Sequence, residues 1–409
     1  MRKTITIGNL GTIITGKTPP TTNKNYYGDY AVFIKPTDIS ESCKYTYNTE
    51  EMYSKLAAEK YESSLVPKGA ICVPCIGTIG TKMTMTHCDC YTNQSINSIV
   101  CNDNYDNEYV YYLIKNFLPG LKSYNLGTAS GREYVSKSNF EKIELIAEQD
   151  INKQRKIGTI LSRYDSLIEN YQHQIKLLEE AAQRLYKQWF VDLKFPGYEN
   201  AVFVDGIPQG WEWQKVGEII AKSIGGGWGK DYPLEKYDQE GYVIRGTYIS
   251  KIKYGNLDDI PFRYHTESNL KERKLSDGDI IFEVSGGSER EPVGRMLYIT
   301  PYILNYYQKN VICASFCKKI SFHNNNDAIL AYYAMEYCRL SGNMKRYAKD
   351  SAGNIINFAW TSFLDNFIIL MPNSEIMKRF CKIAFDYIKQ QNSLSLQIRH
   401  LTEARDRLL

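Results

Sequence analysis

Apolar residues along this chain follow two rhythms, and each predicts a different kind of structure. Over roughly the first 150 residues the apolar runs are short, such as Tyr30-Ala31-Val32-Phe33-Ile34 and Ala70-Ile71-Cys72-Val73, between turns rich in Gly, Pro and Asn. That pattern predicts strands, with one short helix near Asn107 to Phe117. Between Asn152 and Trp189 the rhythm changes. Ile157, Leu161, Tyr164, Ile168, Tyr171, Ile175, Leu178, Ala182, Leu185 and Trp189 recur at alternating spacings of four and three. This is an a/d heptad seam, the pattern of helices that coil around one another. At 1.5 Å per residue the helix would reach roughly 50 Å. Lys194-Phe195-Pro196-Gly197 ends it, because Pro and Gly cannot continue a helix.

The same order then repeats. Residues 124–185 match residues 347–408 at a constant offset of 223, with Tyr124 on Tyr347, Phe140 on Phe363, Ile175 on Ile398 and Leu185 on Leu408. A second seam runs through Phe380, Ala384, Tyr387, Gln391, Leu394, Ile398, Leu401, Arg405 and Leu408. Gln391 and Arg405 are polar, which weakens a seam and can fix its register. A unit this long is a domain and not a solenoid repeat. The expected fold is therefore α+β: two mixed α/β domains, each followed by a long helix, with the two helices paired and the halves related by a pseudo-two-fold repeat. The boundaries read as 1–150 for the first domain, 151–193 for the central helix and 194–210 for a linker. The second domain follows at 211–372 and the last helix at 373–409.

Composition narrows the function less than the pattern does. Of 409 residues, 43% are hydrophobic and 23% charged, as in a folded soluble protein, and the chain is long enough for two or three cores. No apolar run approaches 18 residues, and the start lacks the apolar core of a signal peptide. A cytoplasmic location with no membrane partner is expected, and with it ten reduced cysteines. A net charge of +4 does not by itself indicate nucleic acid, whereas 33 tyrosines suit polar, adaptable interfaces.

Cys72-Val73-Pro74-Cys75 with His87, Cys88 and Cys90 has the outline of a zinc site. The repeat argues against it. Cys72 and Cys75 fall on Ile281 and Val284, and Cys90 on Leu304, so the expectation is core packing without a metal. No Gly-rich dinucleotide or S-adenosylmethionine loop, Asn/Asp-Pro-Pro-aromatic motif or Walker loop is present. Asp192-Leu193-Lys194 has the form of a nuclease acid-x-Lys element but closes a helix, and the five histidines form no triad. No catalytic residue is expected.

What remains are Gly-rich polar loops at matching places in the two copies. The first set offers Lys17, Thr18, Lys35, Thr37, Thr78, Lys82, Asn93, Gln94 and Arg132. The second offers Trp228, Lys230, Arg245, Thr247, Ser285, Arg290, Gln308, Lys309 and Asn310, with Gln94 placed over Gln308. Glycine lets backbone approach a ligand closely, Lys and Arg hold phosphates, and Arg, Lys, Asn and Gln read base edges in pairs of hydrogen bonds. The strings differ while their framework is kept, as expected if two domains read different DNA sequences. The competing reading is a coiled-coil adaptor whose two globular heads bind proteins.

Over essentially its whole length the chain resembles a specificity subunit of a type I restriction-modification system. The likeness rests on Gly16-Lys17-Thr18-Pro19-Pro20 followed by Phe33-Ile34-Lys35-Pro36-Thr37-Asp38, and on Gly77-Thr78-Ile79-Gly80 followed by Asn93-Gln94. It rests also on the helix from Leu178 to Trp189-Phe190-Val191-Asp192, Phe195-Pro196-Gly197 after it, and Gly206-Ile207-Pro208-Gln209-Gly210-Trp211 opening the second half. The chain lacks that last lead-in before Thr4, which implies a slightly trimmed first domain. The resemblance implies two target-recognition domains, each contacting one half of a split, asymmetric site on double-stranded DNA. It implies an antiparallel coiled coil that spaces them and docks two modification subunits. Those partners would carry S-adenosylmethionine and methylate adenine. A restriction subunit using ATP and Mg would join them where one is present, and this chain would hold no cofactor itself.

Overall fold

The structure is a computed structural model that describes residues 2–41, 43–77, 79–127, 133–258, 260–286, 293–350 and 356–409. The chain divides into two compact units. One comprises residues 1–169 with 400–409, the other residues 170–399. Each unit thus contains one β-rich domain and a segment of each long helix.

In the first unit β1 (Arg2–Thr6) pairs antiparallel with β9 (Glu144–Glu148). A four-stranded antiparallel sheet has the order β2-β8-β5-β6, formed by Gly11–Thr15, Ile96–Cys101, Ile71–Pro74 and Thr84–Met85. A second sheet sets β3 (Tyr27–Ile34) between β4 (Glu51–Tyr53), antiparallel, and β7 (Tyr91–Thr92), parallel. The short helix forms at Asn107–Phe117, where the sequence places it, capped by the Asp106 carboxylate accepting from the Tyr109 amide at 3.0 Å. Ile71, Ile99, Val110 and Phe140 anchor the core of this unit.

The second unit opens with a hairpin of β10 (Phe203–Val204) and β11 (Ile207–Pro208), after which the same plan recurs. β12 (Glu212–Lys215) pairs with a late strand, Ile368–Met371. β13 (Ile220–Gly225) edges a four-stranded sheet whose other members are β16 (Ile280–Glu283), β18 (Met296–Tyr298) and β20 (Cys317–Phe322). β14 (Gln239–Ile244) lies between β15 (Phe262–His265), antiparallel, and β19 (Asn310–Cys313), parallel. A small sheet of β17 (Ser285–Gly286), β21 (Ala348–Asp350) and β22 (Ile356–Phe358) precedes the late strand, β23.

The first long helix runs Ile151–Tyr186 and continues as a π-helical turn, Lys187–Val191; the second runs Ser374–Leu408. Of the first seam, Leu161, Ile168, Ile175, Ala182 and Trp189 are buried, while Ile157, Tyr164, Tyr171, Leu178 and Leu185 are half-buried. Of the second, Phe380, Ala384, Ile398 and Arg405 are buried and Tyr387, Gln391, Leu394 and Leu401 half-buried; Leu408, the helix's last residue, is exposed. A further buried row lies beside the seam at Asp165, Tyr186, Ile388 and Ser395. The stripe is therefore wider than a strict a/d seam. The cause is that each segment packs on two things, its own β-rich domain and the other helix. Within the second unit the helix segments run antiparallel. The Tyr186 and Phe380 ring centroids are 6.2 Å apart, and Leu178 lines a groove with Leu394. In the first unit Asp165 meets Arg405 at 2.5 Å.

Candidate nucleic-acid interface

Backbone hydrogen bonds fix which loop residues correspond. The Gly16 amide donates to Ile96 O and Lys17 to Thr92 O; in the second unit Gly226 donates to Cys317 O and Gly227 to Cys313 O. Asn93 donates to Ile34 O as Ala314 does to Ile244 O, and Cys75 donates to Ser95 O as Val284 does to Phe316 O. Gln94 therefore corresponds to Ser315, not to Gln308. Likewise Val66 and Cys90 exchange hydrogen bonds where Leu275 donates to Val311 O, so Cys90 corresponds to Val311 and not to Leu304. An insertion before β19 shifts the frame, which a sequence comparison at constant spacing misses. Cys72 on Ile281 and Cys75 on Val284 agree with the strand register.

The close turn at Gly16 gathers the first set. A Cβ there would lie 2.1 Å from Thr92 O, so only glycine lets β2 approach the turn after β7. Beside it, the Thr18 hydroxyl bonds the exposed Gln94 side chain. Lys82 donates its ammonium to Pro36 O, next to the exposed Thr37. Asn93 turns its side chain back to accept from the Ser95 amide at 3.0 Å. Lys35 does not present a free charge: its ammonium meets Glu50 at 2.9 Å and Glu51 at 3.2 Å. Exposed Lys17 stands 3.5 Å from the Ser63 hydroxyl. Thr78, Arg132 and Arg290 lie outside the described residues.

In the second unit Trp228, Arg245, Thr247 and Ser285 line one cavity of about 520 Å³, joined by Glu283, Arg295, Ser315 and Phe316. The Arg245 guanidinium lies 4.4 Å from the Trp228 ring centroid and that of Arg263 4.6 Å from it, a doubly cation-stacked indole. Arg263 is neutralised by Asp231. Buried Glu283 accepts from Arg295 at 2.9 and 2.5 Å, a two-point pair. Phe316, 64% exposed, stands at the rim. Sequence reasoning missed Arg263, Glu283, Arg295, Ser315 and Phe316. The signal was the turn Ala314-Ser315-Phe316-Cys317, legible only once the insertion before it is allowed for.

Four second-unit candidates are not brought to this cavity. Lys230 exchanges backbone hydrogen bonds with Tyr264. Gln308 adopts a left-handed φ of 50° after a short helix. Lys309 pairs with Glu240 at 2.5 Å, and Asn310 donates to Glu240 O at 3.0 Å. Asn310 begins β19 and Lys309 precedes it, whereas the cavity lies beyond the strand's other end.

Cys72 and Cys75 are buried, and burial pushes both thiols up to about 12. Among the described residues no group of three His, Cys, Asp or Glu is placed to hold a metal ion. None of the described helices is long and apolar enough to cross a membrane.

Residues 2–180 match the family model of the type I restriction modification DNA specificity domain. The type I restriction enzyme MjaIX specificity subunit of Methanocaldococcus jannaschii is 26% identical over 98% of this chain and 90% of its own length. Residues 2–180 thus carry a type I restriction modification DNA specificity domain, and nearly the whole chain is similar to a type I specificity subunit. The HindI specificity subunit of Haemophilus influenzae is 37% identical over a shorter stretch, 34% of this chain and 30% of that protein. The fold is that of the S subunit of the type I system of M. genitalium, whose crystal structure aligns over 100% of this chain and 95% of that one with a TM-score of 0.55 at 16% identity. The matched domain is one of DNA specificity, and the relatives are specificity subunits of type I restriction enzymes.

Each unit fastens its helix segments with buried charge. In the second unit the Lys253 ammonium lies 3.0 Å from Glu179 of the first long helix and 2.9 Å from Glu336, which also pairs with Arg339 at 2.7 Å. Burial pushes the Glu336 carboxyl up, but Lys253 and Arg339 outweigh it and hold the group at about 2. In the first unit Asp165 accepts from Arg405 at 2.5 Å and from the Tyr112 hydroxyl at 2.6 Å, while Lys44 pairs with Glu108.

Proposed function

We propose that this specificity subunit selects a split, asymmetric DNA site, one half through each β-rich unit. The long helices would set the gap between the halves and dock two modification subunits. The observation that carries this reading is the pairing of one hydrogen-bond framework with two unlike sets of loop side chains. Thr18 and Gln94 stand where the second unit has Trp228 and Ser315. Such a chain keeps its frame and changes what it reads.

The partner subunits would bring S-adenosylmethionine and methylate an adenine flipped from the stack. A restriction subunit, where present, would bring ATP and Mg. This chain would position the duplex by phosphate contacts and read the major groove. A helix of roughly 50 Å matches about 15 base pairs at 3.4 Å per step, two half-sites and an unread spacer.

Deleting the heptad 168–174 is the test. Mapping methylated adenines in cells that express the variant with its modification subunit should show a changed or lost spacer preference and unaltered half-site sequences. Unchanged spacing removes the helices from that role. If the wild-type complex shows no sequence preference in gel shifts, the protein-binding adaptor becomes the better reading.

A further inference from the structure

The same structural position carries a cation in both units, but only one is available. Lys35 and Arg245 each follow a strand whose last residue, Ile34 or Ile244, accepts from the parallel neighbour's turn. Lys35 is neutralised by Glu50 and Glu51. Arg245 meets no carboxylate among the described residues, although Arg263 beside it has Asp231 and Arg295 has Glu283. Of the three arginines around Trp228 and its cavity, Arg245 is the one with no carboxylate partner among the described residues.

Its surroundings make it a fixed donor. The guanidinium lies 4.4 Å from the Trp228 centroid and 5.8 Å from that of Tyr248. Its Nε is buried and has no hydrogen-bond partner. The terminal amino groups are then the donors left for a ligand, held over the Trp228 ring at the wall of the cavity. A phosphate contact needs only a mobile charge on the surface, as Lys supplies. A planar fork, immobilised and recessed, fits an acceptor pair in one plane, and in the major groove that pair is O6 and N7 of guanine. The turn that lines the cavity with it offers the uncharged Ser315 and Phe316, and the second cation of the lining, Arg295, is held by Glu283. In the first unit the corresponding turn offers an amide, Gln94, beside a quenched lysine.

We propose that Arg245 is a specificity-determining residue that reads one guanine in the half-site addressed by the second unit, and that the first unit has no equivalent cation reader at this position. This rests on the split-site reading above.

The test uses the complex with its modification subunits and DNA in which each base pair of the methylated site is replaced in turn. Wild type should lose about 10- to 100-fold in affinity when one G·C pair of one half-site is replaced. Arg245→Ala should no longer distinguish that pair while keeping every other preference. Arg245→Gln, which retains a folded, stacked side chain, should shift the preference there towards A·T. Equal loss on all sequences, with a salt slope smaller by about one, would make Arg245 a phosphate contact and overturn the assignment. So would an unchanged preference in both variants. A wild-type complex indifferent to sequence would overturn the split-site reading along with it, whereas selective wild-type binding with uniform loss in the variants sinks the arginine alone.

Discussion

Gly16 and Gly226 show how a single residue type can be required for shape alone. A Cβ at Gly226 would lie 2.2 Å from Cys313 O and from Ala314 O, as one at Gly16 would crowd Thr92 O. The contacts are to backbone, so no side chain can swing away. Gly226→Ala should lower stability by about 3 kcal/mol, the range of forced overpacking, read as a fall in urea midpoint at constant slope. An unaltered midpoint would mean that the turn can open freely. Lys35 teaches the opposite lesson about charge. Its place in the chain suggests a DNA contact, but two glutamates 15 and 16 residues away occupy its ammonium. Sequence supplies the cation, and only folding shows whether it is spent.

The long helices, Ile151–Tyr186 with a π-helical turn to Val191 and Ser374–Leu408, were legible because periodicity over many turns is a strong signal. Their width was not. Heptad counting finds the residues that face another helix, but it assigns Asp165, Glu179 and Ser395 to solvent, and these sit against their own β-rich domains. The charge clusters there should be costly to break. Glu336→Gln leaves Lys253 and Arg339 with one charge too few, and about 3–5 kcal/mol should be lost. The sign with pH follows from the depressed carboxyl. Its unfolded value is about 4.3 and its folded value about 2. The stabilisation is complete above the unfolded value and disappears as pH falls towards 2. Acid titration of the melting temperature should therefore be shallower between about pH 4.5 and 2.5 in Glu336→Gln than in wild type. Parallel curves would show that the cluster does not hold the unit together.

At the scale of the whole chain, the duplication makes a modular prediction. Replacing residues 1–150 by the matching part of another specificity subunit should change one half-site in the methylated motif and leave the other as it was. A change in both would end the modular reading. The exchange keeps the Asp165–Arg405 pair, which lies outside residues 1–150, but replaces Tyr112, whose hydroxyl also donates to Asp165.

The sequence by itself determined the strand-rich and helical stretches and the duplicated frame, because each is written in local period or in residues repeated at fixed spacing. Trp228, Arg245, Thr247 and Ser285, which it singled out, line one cavity together with Glu283, Arg295 and Ser315, which it did not. Tertiary structure alone decided which residues correspond across the insertion, moving Gln94 from Gln308 to Ser315. It also decided which charges are neutralised, since Arg245 and Lys35 differ in what the rest of the chain brings beside them. Hydrogen-bond register and counter-charge are properties of neighbours distant in sequence, and no count along the chain contains them.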